Sequence, residues 1–343
     1  MTSTLQNRIS WLDYGKGLSM LIIILFHTDI YYVGESSFLV DLLFFHTSIA
    51  FFFFASGYTA KIENFNFKNS ITYIIKRLLI PYFIFSTLIY IAKFLLRGWE
   101  MVVFTMLYEI FGGLASWFIA SLVVSRLALS IILKLTKNIF LITASCLLLS
   151  AVGFVMTQYL EAPILWYANY GLMSMFYICL GIIFRKREAI LGNKIKCQAF
   201  ISTIFYIIFV LIDLYILKDS QWHYVCSSSY IYGLKAGQVI LLRVVYYLIT
   251  SILGIWMIIS LLKLMPAGIK SLSYVGRNSL TYYYLNGGVV FILTFIFNKI
   301  GLVYDGNYFF ALLLFIFVVI ILSISSNLIH RFAPWMVGAS RNY

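Results

Sequence analysis

The apolar residues of this chain come in repeated runs of about 20, the length a helix needs to cross a bilayer core, separated by short polar stretches. Ten spans are read, at 12–32, 38–60, 72–96, 113–133, 138–157, 164–184, 198–217, 238–262, 279–298 and 307–329. The stretch Trp99–Phe111 is apolar as well, but it contains Glu100 and Glu109 and is read as lying at the interface instead of crossing. No connection exceeds about 25 residues, so residues 1–343 are expected to form a single membrane-embedded domain without an appended soluble one. The predicted fold class is an all-α, polytopic helical bundle of about ten transmembrane helices.

Composition agrees with this pattern. Apolar and aromatic residues make up 62% of the 343 positions and charged residues 11%, against about 45–50% and about 25% in soluble domains. A soluble enzyme is excluded. The net charge of +13 would point to nucleic acid on a soluble protein, but in a membrane protein Lys and Arg collect in cytoplasmic loops. With the N-terminus inside, 19 of the 25 lysines and arginines fall on that side, in consistent alternation. Both termini are therefore expected to be cytoplasmic, and no nucleic acid partner is expected. The polar N-terminus lacks a cleavage site after its first apolar run, which reads as an anchor and not a removed signal.

Cys146, Cys179, Cys197 and Cys226 show no CxxC spacing, and with four histidines there is no metal-binding pattern. Neither a disulfide framework nor a metal site is expected. Heptads, low-complexity linkers and internal repeats are not visible.

Titratable groups inside a span are costly and mark functional candidates. The first span holds the densest set: Asp13, Lys16, His27 and Asp29. Lys16 and His27 are eleven residues apart, close to three full turns, so they share a helix face about 16 Å apart along the axis. Asp13 and Lys16 are i,i+3 neighbours able to pair. A neutral His27 could serve as general base for a hydroxyl nucleophile, or could be a packing histidine bonded within the bundle. The second span carries His46, the block Phe51–Phe54, which reads as lipid-facing or core filler, and then Ser56, Gly57 and Tyr58. Lys76 and Arg77 open the third span, with Pro81 and Tyr82 just beyond. They read as positive-inside anchors, or as groups that hold the phosphates of a nucleotide-like donor. Trp117, Tyr82 and Tyr284 are candidate ring-stacking walls.

Six ordered pieces resemble the membrane-bound acyltransferase-3 family, in particular its fucose 4-O-acetylase-like and polysaccharide O-acetyltransferase branch. RISWLDYGKGLSMLIIILFH is similar to that family's opening, with its basic-x10-His motif filled by Lys16 and His27. FFFFASGY, KRLLIPYF, SWFIASL, FYICLGIIFRK and VGRNSLTYYYLN follow in family order, from residue 8 to 286. Two positions depart from the pattern. Asn286 stands where the family's final motif usually has His. His46 lies further from Ser56 than the family's histidine does, with Thr47-Ser48 in place of Met-Pro.

The resemblance implies transfer of an acyl group, most often acetyl, from cytoplasmic acetyl-CoA to a sugar hydroxyl of a lipid-linked or surface glycan. It implies His27, Lys16 and Asp13 as the catalytic set and Lys76, Arg77 and Tyr82 around the donor. The acceptor would meet His46, Ser56, Trp117 and Asn286. It also implies a multi-pass protein of a bacterial inner membrane, in contact with membrane lipids, using acetyl-CoA as co-substrate and no permanently bound cofactor. Two rival readings remain. A transporter or flippase of a lipid-linked sugar or small metabolite predicts paired broken helices and internal symmetry. An acyltransferase-like assembly factor without catalysis is the other.

Overall fold

A computed structural model describes residues 9–35, 37, 40, 47–97, 103–160, 164–191, 194–212, 236–266 and 268–339. Helices dominate, and no strand occurs among the described residues. The helices are α1 (Ser10–Thr28), α2 (Ser48–Tyr58), α3 (Phe67–Ile74), α4 (Ile80–Arg97), α5 (Val103–Phe111), α6 (Trp117–Leu135), α7 (Ile139–Tyr159), α8 (Ala168–Met173), α9 (Met175–Leu191), α10 (Ile195–Ile212), α11 (Ala236–Leu264), α12 (Lys270–Arg277), α13 (Ser279–Lys299) and α14 (Tyr308–Phe332).

Eight helical segments are long and apolar enough to cross a membrane, nine if α8 and α9, bent by 43° at a short break, form one span. The remaining expected span, 38–60, is represented by α2, whose preceding residues 41–46 lie outside the described residues. Nine of the ten predicted spans thus coincide with a segment long and apolar enough to cross, counting α8–α9 as one, and the tenth is described only as the eleven-residue α2, in an all-α polytopic bundle. Helix α5 has nine residues, about 14 Å at 1.5 Å per residue, and is too short to cross. Two spans are continuous only through π-helical turns, Asp29–Val33 after α1 and Ile75–Leu79 between α3 and α4. The α8–α9 break has no bent counterpart among the described residues, whereas a transporter built from repeats is expected to have one.

At the centre are α1 and α2. Every residue of α2 is buried, as expected of a helix apolar on all sides; Phe51, Phe53 and Phe54 are at most 2% exposed. The phenylalanine block is thus core and does not face lipid. Its main neighbour is α9, and small residues permit the contact. A β-carbon on Gly57 would lie 2.0 Å from the Ile178 carbonyl oxygen, and one on Gly181 2.1 Å from that of Phe54. The same device joins α1 to α12, where a Gly276 β-carbon would meet the Asp13 carbonyl oxygen at 1.8 Å. Helices α7 and α10 are peripheral.

Three helix N-termini are closed by asparagine side chains, since the terminal peptide groups have no intrahelical partner. Asn66, Asn138 and Asn307 cap α3, α7 and α14 by accepting from backbone N–H groups at 2.9–3.0 Å. Arg185 donates to the Ala60 and Tyr58 carbonyl oxygens at 2.8 and 3.2 Å, closing the end of α2. Beside it Glu188 pairs with Lys263 at 2.7 Å and accepts from the Tyr58 hydroxyl. Lys263 also stands over the Trp11 ring, whose edge meets Tyr58 at 5.1 Å. The start of α1 and the ends of α2, α9 and α11 therefore gather at one basic end of the bundle.

At the opposite end of α1, Asp29 is fully buried. Its Oδ1 accepts from the Tyr308 hydroxyl at 2.5 Å and its Oδ2 from the Ser37 N–H at 3.0 Å. Hydrogen bonds to charged groups contribute about 1.5–3 kcal/mol. Tyr308→Phe should therefore destabilise the protein by an amount in that range, read as a lower melting temperature in detergent. An unchanged melt would show that the Asp29 contact adds nothing.

Candidate functional site

Near the basic end, five separated segments converge on a cavity of about 190 Å³. Helix α1 contributes Leu12 and Lys16, and α2 contributes Phe52, Ala55 and Ser56. Leu78 comes from the π-turn, Phe118, Leu122 and Arg126 from α6, and Gly276, Arg277, Ser279 and Leu280 from the α12–α13 junction. Five of the six pieces singled out in the sequence meet there. The sixth, Phe176–Lys186, backs the cavity from behind: through Gly181 and Arg185 it positions α2.

The wall chemistry is apolar above and cationic below. Lys16 is held by Asp13 at 2.8 Å and remains partly accessible. Arg126 donates to the Ser56 carbonyl oxygen at 3.4 Å and lies 5.2 Å from the centre of the Tyr73 ring. Arg277 is exposed and donates within its own helix, to Ser273 at 3.1 Å. The Ser56 hydroxyl is buried with no hydrogen-bond partner, so an acceptor or donor group entering the cavity finds a free oxygen there. A second, more polar chamber of about 330 Å³ adjoins it through Thr59, Tyr73 and Arg126, and is lined by Lys61, Asn64, Asn69 and Ser70. Three cations with apolar walls can hold the phosphates of an anionic donor and shelter its uncharged part.

His27 is not part of this cavity. It lies on the same side of α1 as Lys16, about 16 Å further along the axis. Its Nδ1 is 2.8 Å from the Ile23 carbonyl oxygen. A carbonyl only accepts, so Nδ1 carries the hydrogen, and a neutral His27 presents Nε2 as a lone pair. The ring stacks on Tyr31, which meets Phe291 of α13 edge-on at 6.4 Å. Gly17 packs against Gly276 and Tyr31 against Phe291, so α1 runs beside α12 and α13. No atom lies within 4 Å of where a Gly287 side chain would begin. Asn286 is 1% exposed, and its Oδ1 has no partner.

The remaining sequence candidates are placed as follows. Lys76 and Arg77 are exposed and line none of the cavities described above; Arg77 donates to the Val337 carbonyl oxygen at 3.4 Å. Tyr82 is fully buried and donates to Ile110 at 2.9 Å. Tyr284 donates to the Leu78 carbonyl oxygen at 2.8 Å. Trp117 is half-buried at the end of α6 opposite Lys134, edge-on to Tyr170, which stacks on Tyr167 at 5.6 Å. Tyr167 and its neighbour Trp166 both have positive φ, 44° and 57°, a costly conformation for aromatic residues. His46 lies outside the described residues.

From the sequence, Arg126 and Arg277 read only as topogenic charges. The available signal was depth: Arg126 falls well inside the predicted span 113–133, where an anchor is not needed.

The described residues thus form a polytopic membrane bundle with a cavity lined by Lys16, Arg126 and Arg277 set among its spans. The chain belongs to the acyltransferase-3 family: the family model for the acyltransferase domain matches residues 9–328, nearly the whole chain. It is thus a multi-pass membrane acyltransferase. No curated protein and no solved structure gives a significant match.

Proposed function

We propose that this protein is an O-acyltransferase that takes an acetyl group from cytoplasmic acetyl-CoA and places it on a sugar hydroxyl of a lipid-linked or cell-surface glycan in a bacterial inner membrane. The observation that carries the reading is the convergence of five family-like segments on one cationic, apolar-walled cavity at the basic end of the bundle.

An anionic donor is repelled by the bilayer and docks from the basic end. Its phosphates meet Lys16, Arg126 and Arg277, with Asp13 holding the Lys16 ammonium in place. The adjoining chamber gives room for its nucleotide, and the thioester arm reaches along α1 toward His27. The acceptor approaches from the opposite side, past the aromatic group of Trp117, Tyr167 and Tyr170. His27 Nε2 takes the proton of the acceptor hydroxyl as its oxygen attacks the thioester carbonyl. Collapse of the tetrahedral adduct breaks the C–S bond, and the imidazolium returns its proton to the departing thiolate. Asn286, on the neighbouring α13, has a free amide oxygen to receive a second hydroxyl of the sugar; as an amide it cannot relay a proton.

Membranes supplied with radiolabelled acetyl-CoA provide the test. Label should pass to extractable glycan or glycolipid with wild-type protein. Lys16→Gln and Arg126→Gln should each raise the apparent KM for acetyl-CoA about tenfold, the effect of losing about 1.4 kcal/mol of charge-assisted contact, with a smaller change in kcat. Lys76→Gln with Arg77→Gln serves as the comparison. A KM raised by that pair alone would move the donor to the surface of α3–α4. Absence of label with folded wild-type protein and native glycan present would exclude acetyl transfer.

A further inference from the structure

A third concavity, of about 550 Å³, lies between α1, α12, α13 and α14. Its walls are mainly apolar: Leu21, Leu272, Val275, Tyr282 and Val319. Lys270 and Arg277 also line it, from the two ends of α12. Lys270, Tyr274 and Arg277 follow the i, i+4, i+7 spacing that puts them on one helix face. Tyr274 lines the groove between the two cations, and its hydroxyl is buried without a hydrogen-bond partner. Lys270 forms no ion pair among the described residues, and the one bond described for Arg277 stays within α12. On α14, Val319 is flanked by the exposed Ile316, Phe317 and Ile320, so the groove opens on the lipid-facing side.

We propose that this groove binds an anionic phospholipid. An acyl chain fills the slot between α1, α13 and α14. The headgroup phosphate sits against Lys270 and Arg277. Charge complementarity selects this occupant. An apolar peptide helix would leave two cations facing apolar side chains, and a neutral lipid would leave both charges unanswered. Basic pockets between membrane helices on the cytoplasmic side are suited to anionic headgroups. Arg277 also lines the cationic cavity near Lys16, so the lipid phosphate and the proposed donor would draw on the same guanidinium. The lipid site itself does not depend on the identity of that donor.

Native mass spectrometry of the detergent-purified full chain tests the site, with phosphatidylglycerol, phosphatidylcholine and inorganic phosphate as probes. Phosphatidylglycerol should bind at least about fivefold more tightly than phosphatidylcholine, and Lys270→Gln should weaken it by about fivefold, the typical worth of one basic residue near an anionic lipid. Val319→Trp fills the slot and should abolish binding of the same lipid. Melting curves of lipid-free protein establish that both variants are folded; Lys270 is exposed, so its replacement leaves the core intact. Equal binding of the two lipids, normal binding by both variants, or displacement by inorganic phosphate would each overturn the proposal. So would a preference for a polyprenyl phosphate over phosphatidylglycerol, which would make the groove a substrate entrance. Because the readout is binding, it stands whether or not acetyl transfer is observed.

Discussion

His27→Ala is expected to abolish acyl transfer in membranes while leaving expression, topology and melting temperature unchanged. General base catalysis is worth about 10²–10⁴-fold, and no other described imidazole stands near this part of α1. The one hydrogen bond of His27 is to the preceding turn of its own helix, so truncation orphans no distant polar group. A base and a packing histidine therefore differ in their expected outcomes. A packing histidine would lower the melting temperature and leave residual activity in proportion to folded protein. Activity at the wild-type rate in His27→Ala would end the assignment. Quenching a reaction with labelled donor and no acceptor also distinguishes direct attack from a relay: a hydroxylamine-sensitive label on the wild-type chain, missing from the variant, would reveal an acyl-imidazole.

The second large effect concerns stability. Gly57→Val should destabilise by at least about 3 kcal/mol, the upper part of the range for overpacked cores. The atom in the way is a backbone oxygen, 2.0 Å from the new β-carbon, and no rotamer change can clear it. Helix α9 would have to withdraw from α2 along its length. Gly181→Val presses from the other side, against Phe54, and should act similarly. Gly287→Ala is the control. Nothing lies within 4 Å of its added carbon, and Ala gains up to about 1 kcal/mol of helix propensity over Gly. Thermal unfolding in detergent should rank the three, with the Gly57 and Gly181 variants far below Gly287→Ala. A Gly57→Val protein that melts with the wild type would show that α2 and α9 separate without penalty.

The helical bundle was legible because the bilayer imposes a length on every span, and that length is written in the chain as runs of about 20 apolar residues. Asp13 pairing with Lys16 was equally legible, being set by helix geometry alone. The location of the cationic cavity was not. Lys76 and Arg77 looked suited to a phosphate because they stand together at a helix start, yet a π-turn and the packing of the segment around Val337 direct Arg77 elsewhere. Arg126 looked like an anchor, yet the burial of α2 turns it toward Ser56. Which face of a span looks inward depends on partners far away in sequence, and a span apolar on all sides carries no stripe to reveal it. The phenylalanine block of α2 is the clearest instance.

Helix α1 carries Asp13 and Lys16 near one end and His27 near the other, with an uninterrupted hydrogen-bonded ladder between them. It therefore acts as a ruler. The distance from Lys16 to His27 is set by eleven residues of rigid rod and not by a loop that could stretch. Inserting one residue between them would lengthen the rod by only 1.5 Å but turn His27 by 100°. Under the mechanism proposed above, selection for the length of the acyl carrier is built into the first helix. A protein of this architecture that accepts a shorter or longer donor should be sought among changes in the register of α1, before changes in the cavity walls.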